Sequence, residues 1–497
     1  MIDQLLFSCK ANLNQARHSK IAIAFFWLMI LFIGAWLISQ SQIIMTLDQG
    51  DFARAIASIL GGPADGSEYR HWEKPTVEWQ FHEPIASIWQ TENTASAYFA
   101  IQAQLQHLVR PFFSLPLLAL ASKMIALFLI TILSSRIAKQ LQWTWIGQSI
   151  AWMALALAYF MAHNIYLFNS FYQEHVFWLG LPIILCGFLD PLRWRSTLFI
   201  LFGATLCGAA KTQFFYMPIL TLIWQAAWSY IQRKSQNRLL LIGLFLSQLF
   251  CTIPVVNNPY RELNFYHATY YGSYFLSSPQ MHEQLQIPPE TFSCIGSDRW
   301  GVVLAGKNGD ERGSTITTCF DQVTLTTTDV LRPYLQDPTL LWRMWEFAQH
   351  SLWTARPFHN FTAQPYIVTP QGIDPQGIAY PFPQGNTLLA LSDWREQHLT
   401  HRVGFISLLA IMISLGLLYW RWLGPIPLTM LFLITLIWSQ IAIALIGEGF
   451  RDLGKHFAAA QLSYDLLLAL LGISILGILQ RAWITFHKHY RAPASKR

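Results

Sequence analysis

The chain has 497 residues, of which 53% are hydrophobic and 12% charged, with a formal net charge of +6. The positive excess does not imply nucleic-acid binding, because no basic stripe interleaved with aromatics appears in any outer loop. So apolar a composition leaves one large soluble fold or a polytopic membrane protein. Run lengths decide between the two. Ile21–Ser39, Leu117–Leu133, Trp145–Met161, Val176–Leu189, Phe214–Ile231, Leu239–Val255, Val403–Trp420, Ile426–Ile446 and Ala460–Leu479 are mostly long enough to cross about 30 Å of hydrocarbon. Thr197–Ala210, bounded by Arg195 and Lys211, makes a tenth. Lys and Arg then concentrate in the loops on one side, which is the cytoplasmic side by the positive-inside rule, with both ends of the sequence there.

In chain order, Ile21–Ser39 is too long for a signal-peptide core and reads as a retained anchor. A long outer loop follows, residues 40–112. It opens with "LDQGDFARAIASIL", whose apolar positions recur at helical spacing. "WEKPTVEWQFHEPIASIWQ" and "SAYFAIQAQLQHLV" read as further helices lying along the membrane surface. After the second and third spans comes the short outer turn "NSFYQEH". The membrane module formed by residues 1–256 gives way to a large outer segment, 257–401. Its centre, "CIGSDRWGVVLAGKNGDERGSTITTC", has the turn and β signals of a small strand-containing insert. "DVLRPYLQDPTLLWRMWEFAQHSLW" is helical, and "TPQGIDPQGIAYPFPQGN" is an extended loop. Residues 402–497 return to the membrane and end in a cytoplasmic tail. The fold class is therefore an all-α polytopic bundle of about ten spans with a small mixed α/β outer insert. Cys294 and Cys319 share the largest outer loop, where an oxidising compartment favours their disulfide.

The sequence contains no P-loop, no GxGxxG after a strand, no HExxH and no metal-spaced Cys/His set. Chemistry must come from elsewhere. Asp48 and Asp51, at i and i+3, face one side of a helix beginning near Leu47. Helix capping is one explanation for them; proton acceptance from an incoming hydroxyl is the other. Arg54, one turn on, can hold the acid ionised. Glu174 lies in the short turn with Asn169 and Tyr172, which would rim the cleft. "GEGFRDLGKHFAAAQLSYD" puts Arg451, Lys455 and His456 on the acidic side, either as lipid-headgroup anchors or as a site for a phosphate. Lys211 sits similarly in "CGAAKTQFF". Lys123 and Asp465 are intramembrane charges that could pair with each other, and His163 reads as a hydrogen-bonded core residue.

"LDQGDFARAI", "NSFYQEHVFW", "AAKTQFFYMPIL", "LQIPPETFSCIGS", "RPYLQDPTLLWRM" and "EGFRDLGKHFAAAQLSYD", spread across most of the chain, resemble the GT-C superfamily of polytopic glycosyltransferases. Within it they look like bacterial surface-glycan hexosyltransferases of the S-layer-glycan type. The resemblance implies inverting transfer of a sugar from a polyprenyl-phosphate donor to a glycan or glycoprotein hydroxyl, outside the bacterial inner membrane. Asp51 would be the base, with Asp48 or Glu174 orienting the acceptor. Arg54, Lys211, Arg451, Lys455 and His456 would hold the donor phosphate. No cofactor is implied and no obligatory metal. A pilin-type protein O-glycosyltransferase of the same fold and a lipid-linked-sugar flippase are the alternatives.

Overall fold

The computed structural model describes residues 23–41, 44–45, 51–69, 76–190, 193–231, 237–299, 304, 319–351, 353, 366–369, 372–373, 386–419, 424–451 and 453–490. Asp48 and most of the segment between Cys294 and Cys319 lie outside the described residues.

The molecule is mostly helical, and a helix stands at each of the ten apolar segments. These are α1 (Ile23–Ser41), α4 (Leu115–Leu141), α5 (Trp145–Phe160), α7 (Glu174–Leu189), α8 (Arg193–Gly208), α9 (Met217–Ile231), α10 (Arg238–Val256), α16 (Val403–Tyr419), α17 (Ile426–Glu448) and α19 (Ala458–Tyr490). Among the described residues six helices are long and apolar enough to cross a membrane: α1, α4, α10, α17, α19, and α15 (Thr387–Leu399) running on into α16. α5 qualifies as a seventh only with the bent segment after it, which begins with α6 (Ala162–Ile165). α7, α8 and α9 have 15 or 16 residues. At 1.5 Å per residue they reach about 24 Å, less than the hydrocarbon thickness.

The membrane-like core is built on close approach. α7 is buried along its whole length, and a Cβ added at Gly180 would come within 2.4 Å of Cys207 Sγ on α8. Absent side chains here let two backbones pack almost in contact. α17 and α19 pack beside them, whereas α1 and α10 turn Phe25, Trp27, Phe32, Phe245 and Phe250 outward.

The long first loop is less helical than its sequence suggests. After α2 (Phe52–Ile56), the chain forms β2 (Leu60–Pro63), β3 (Glu78–Phe81) and β4 (Phe113–Ser114), an antiparallel sheet in the order β2-β3-β4, with α3 (Thr94–His107) beside it. The segment expected to be a second surface helix is thus strand β3 followed by a single 3-10 turn, Ile88–Gln90. Its period explains why. Trp79 points into the core while Glu78 and Gln80 face out, an alternation of two rather than 3.6, and Pro75 and Pro84 bound the run. A second small sheet pairs β1 (Ile44–Met45) with β5 (Tyr366–Thr369), and β5 with β6 (Gly372–Ile373).

In the large segment, α11 (Arg261–Ala268) runs into a π-helical turn, Thr269–Ser273. Then come α12 (Pro279–Leu285), α13 (Thr327–Gln336) and α14 (Leu340–Ser351). The Cys294–Cys319 disulfide is formed. α18 (Leu453–His456) is a single turn between α17 and α19.

Candidate functional site

Asp51 sits at the N-cap position of α2, but its side chain makes no capping hydrogen bond to that helix. Its carboxylate turns instead to Lys455, whose Nζ donates to Oδ2 across 404 positions of sequence, and to Arg54, 3.2 Å from Oδ1. Capping therefore does not account for this acid. α2 is held in place by Phe52, which packs edge-on against Phe171 and Tyr172. Lys455 lies 5.3 Å from the centre of the Tyr172 ring, and the Arg54 guanidinium stacks 3.8 Å over Tyr260.

Beside this pair stands another. Glu174 opens α7 and Lys211 follows α8; the two helices pack together, bringing Lys211 Nζ within 2.6 Å of Glu174 Oε1. Lys211 is close enough to act on Asp51 electrostatically. Burial alone would raise the Asp51 carboxyl, but Lys455, Arg54 and Lys211 together override it and hold the group well below the usual carboxylate range. One end of the bundle thus carries Asp51, Arg54, Glu174, Lys211 and Lys455 as a single electrostatic unit.

His456 is next to Lys455, where its charged form is disfavoured. Burial, then Lys211 and Lys455, push its imidazole well below its ordinary value. Nδ1 lies 2.8 Å from Gln213 Oε1, an atom that only accepts, so Nδ1 carries the proton. Gln213 in turn donates to the His456 carbonyl at 2.7 Å and to Gln440 at 2.9 Å. In the observed arrangement the His456 ring is engaged with Gln213, which locks the turn.

Arg451 also departs from expectation. It pairs with Asp298, a fully buried acid of the disulfide-closed segment. The backbone there is tight: a Cβ at Gly272 would lie 2.7 Å from Gly449 Cα, and one at Gly449, where φ is +60°, 2.3 Å from the His267 carbonyl. Phe450 N–H donates to the Tyr271 carbonyl at 3.1 Å. These contacts fix the turn that bears Lys455, with Arg451 as a strut. Asn169 and Tyr172 are both buried and do not rim an open cleft. Asn169 accepts from Lys123 at 3.2 Å and donates to the Ser41 carbonyl, which Lys123 also reaches.

Lys123 and Asp465 do not pair with each other in the observed contacts. Asp465 instead binds Arg395 Nε at 3.0 Å, His163 Nε2 at 2.7 Å and Asn164 Nδ2 at 2.8 Å. Arg395 donates further to Thr400 and Gln461. Sequence reasoning missed Arg395 because its helix follows a Pro/Gly-rich stretch taken as loop. Asn386, which caps α15 through the backbone N–H groups of Leu388 and Leu389, was the available signal. Leu388, Ser392 and Arg395 then share the buried face. Among the described residues, no group of three or more His, Cys, Asp or Glu side chains is placed to hold a metal ion.

The family profile described as the YfdI N-terminal transmembrane domain matches residues 10–492. The chain belongs to that family. It is an integral, multi-pass membrane protein. It is 24% identical, over 313 residues, to the uncharacterized protein YfdI of Escherichia coli (strain K12). That alignment covers 61% of this chain and 63% of YfdI, so the chain spans a little under two thirds of that relative's length. No solved structure matches.

Proposed function

We propose that this family member is an inverting glycosyltransferase of the GT-C type, with about ten spans, both ends cytoplasmic and the site facing the periplasm. It would move a sugar from a polyprenyl-phosphate donor to a hydroxyl of a surface glycan. The acceptor O–H attacks the anomeric carbon, the bond from that carbon to the phosphate oxygen breaks, and the proton passes to Asp51. The lipid phosphate leaves with its charge met by Lys455, Arg54 and Lys211. Glu174 holds Lys211 in place rather than orienting the acceptor. The lipid-linked donor supplies the driving force, so no nucleotide is required.

One observation carries the reading: an acid of the first long loop meets a lysine 404 residues away, at a helix-bundle end that also gathers Arg54 and Lys211. A carboxylate and three cations are what proton removal beside a departing phosphate calls for. Purified protein given radiolabelled polyprenyl-phosphate sugars and a surface polymer should transfer label, and Asp51→Asn should not. Transfer to a pilin-type protein instead of glycan would redirect the acceptor. Movement of intact lipid-linked sugar across a vesicle bilayer, without transfer, would favour the flippase alternative.

A further inference from the structure

The three cations of this site are each met by a carboxylate: Lys455 and Arg54 by Asp51, Lys211 by Glu174. An oxyanion arriving from outside therefore finds its counter-charges already engaged. The exposures order the layers. The Arg54 side chain is 35% exposed and that of Asp51 16%, whereas Lys455 is 3% and Glu174 1% exposed. Asp51 thus covers Lys455 on the solvent side; in the other pair the order is reversed, with Lys211 10% exposed outside Glu174.

We propose that Asp51 is a built-in stand-in for the phosphate group, occupying Lys455 and Arg54 until a phosphate-bearing ligand takes its place. The inference rests on reading the site as one for a phosphate-bearing donor, and adds that binding is an exchange of one anion for another. Three features suit an exchange. Phe52 pins α2 against Phe171 and Tyr172, so the Asp51 side chain can turn without moving the helix. Tyr260 keeps the Arg54 guanidinium in place when the carboxylate leaves. Lys455 passes from one anion to another without being left buried and unpaired, which would be costly. The exchange also has a chemical consequence. A carboxylate held down by Lys455, Arg54 and Lys211 is a poor proton acceptor at neutral pH, and losing Lys455 to the ligand restores its basicity. The acid becomes a base only when the donor is present.

The test is binding without turnover, on the full chain in nanodiscs, by calorimetry. One arm titrates inorganic phosphate; the other compares discs with and without a short-chain polyprenyl phosphate, separating a free anion from a lipid headgroup. Asp51→Asn should bind phosphate about tenfold more tightly than wild type. Asp51→Asn/Lys455→Gln should lose that gain. An unchanged or weaker affinity in a folded Asp51→Asn protein, or a gain that survives the second substitution, would overturn the proposal. If Asp51→Asn does not fold, Asp51→Ser asks the same by releasing Lys455 and Arg54. Affinity there must rise, and failure to rise overturns the proposal equally. The outcome is separable from the transfer assay: exchange with no transfer removes the enzyme, and transfer with no exchange removes the stand-in.

Discussion

Two clusters of charge in this molecule are made in the same way and do different things. Asp465–Arg395 and Asp51–Lys455 each join residues far apart in sequence, and each puts a carboxylate against a cation beside a histidine. They differ in completion. Asp465 and Arg395 are fully enclosed, with His163, Asn164, Thr400 and Gln461 taking up their further hydrogen-bonding capacity. Asp51 and Arg54 reach solvent, while Lys455 lies buried behind Asp51 and Tyr260 backs the Arg54 guanidinium. A charge network with every bond made inside the protein is a fastener; one that stops at the surface is a place where something else can bind.

Removing the enclosed partner should have the largest effect. Arg395→Met leaves Asp465 buried with its cation gone and should cost about 3–5 kcal/mol, seen as a large drop in thermal midpoint in detergent. Arg395→Met/Asp465→Leu should recover much of it, since no charge is then stranded. If the single variant is as stable as wild type, the contrast between fastener and site is lost. At the open cluster the order reverses. Asp51→Asn should lower transfer by about a hundredfold or more while lowering the thermal midpoint less than Arg395→Met does, because the asparagine carbonyl can still accept from Lys455. An inactive protein that also unfolds would make Asp51 a second fastener.

Lys455→Gln should raise the donor KM by about tenfold or more, with a smaller change in kcat. A kcat loss at constant KM would shift its role from binding to the transition state. The smallest effect concerns pH. His456 is held neutral, so its folded pKa lies below its ordinary 6.5 and the unfolded chain takes up a proton first. Its contribution to stability is complete above about pH 6.5 and is lost as pH falls towards the folded value. Asp51 is depressed as well, so its contribution holds through mild acid and fades only below the ordinary carboxylate range. His456→Gln should therefore flatten the decline between about pH 6.5 and 4; an unchanged slope would show that the ring is already protonated there.

Much of this was legible in the sequence because apolar runs and misplaced charges are strong signals. Every apolar segment became a helix, and Asp51, Arg54, Glu174, Lys211 and Lys455 converge. Partner choice was harder. Lys123 and Asp465 both looked like lone intramembrane charges, but each finds other partners, Ser41 and Asn169 for Lys123 and Arg395, His163 and Asn164 for Asp465. Arg451 shares a basic motif with Lys455, and only packing reveals that it belongs to Asp298. In the first loop, the surface helix expected over "WEKPTVEWQFHEPIASIWQ" lost to a period of two around Trp79, because short apolar runs carry both patterns.

The 404 positions separating Asp51 from Lys455 also set a clock. At ribosomal speeds of about 5–20 residues per second, some 20–80 s pass between synthesis of the acid and arrival of its lysine. Throughout that interval the carboxylate lacks the lysine that does most to hold it down, and only Arg54 and, later, Lys211 act on it. A chain stalled before Lys455 would carry its acid with Arg54 and Lys211 alone, so the site's charge balance is completed only as the last span is made.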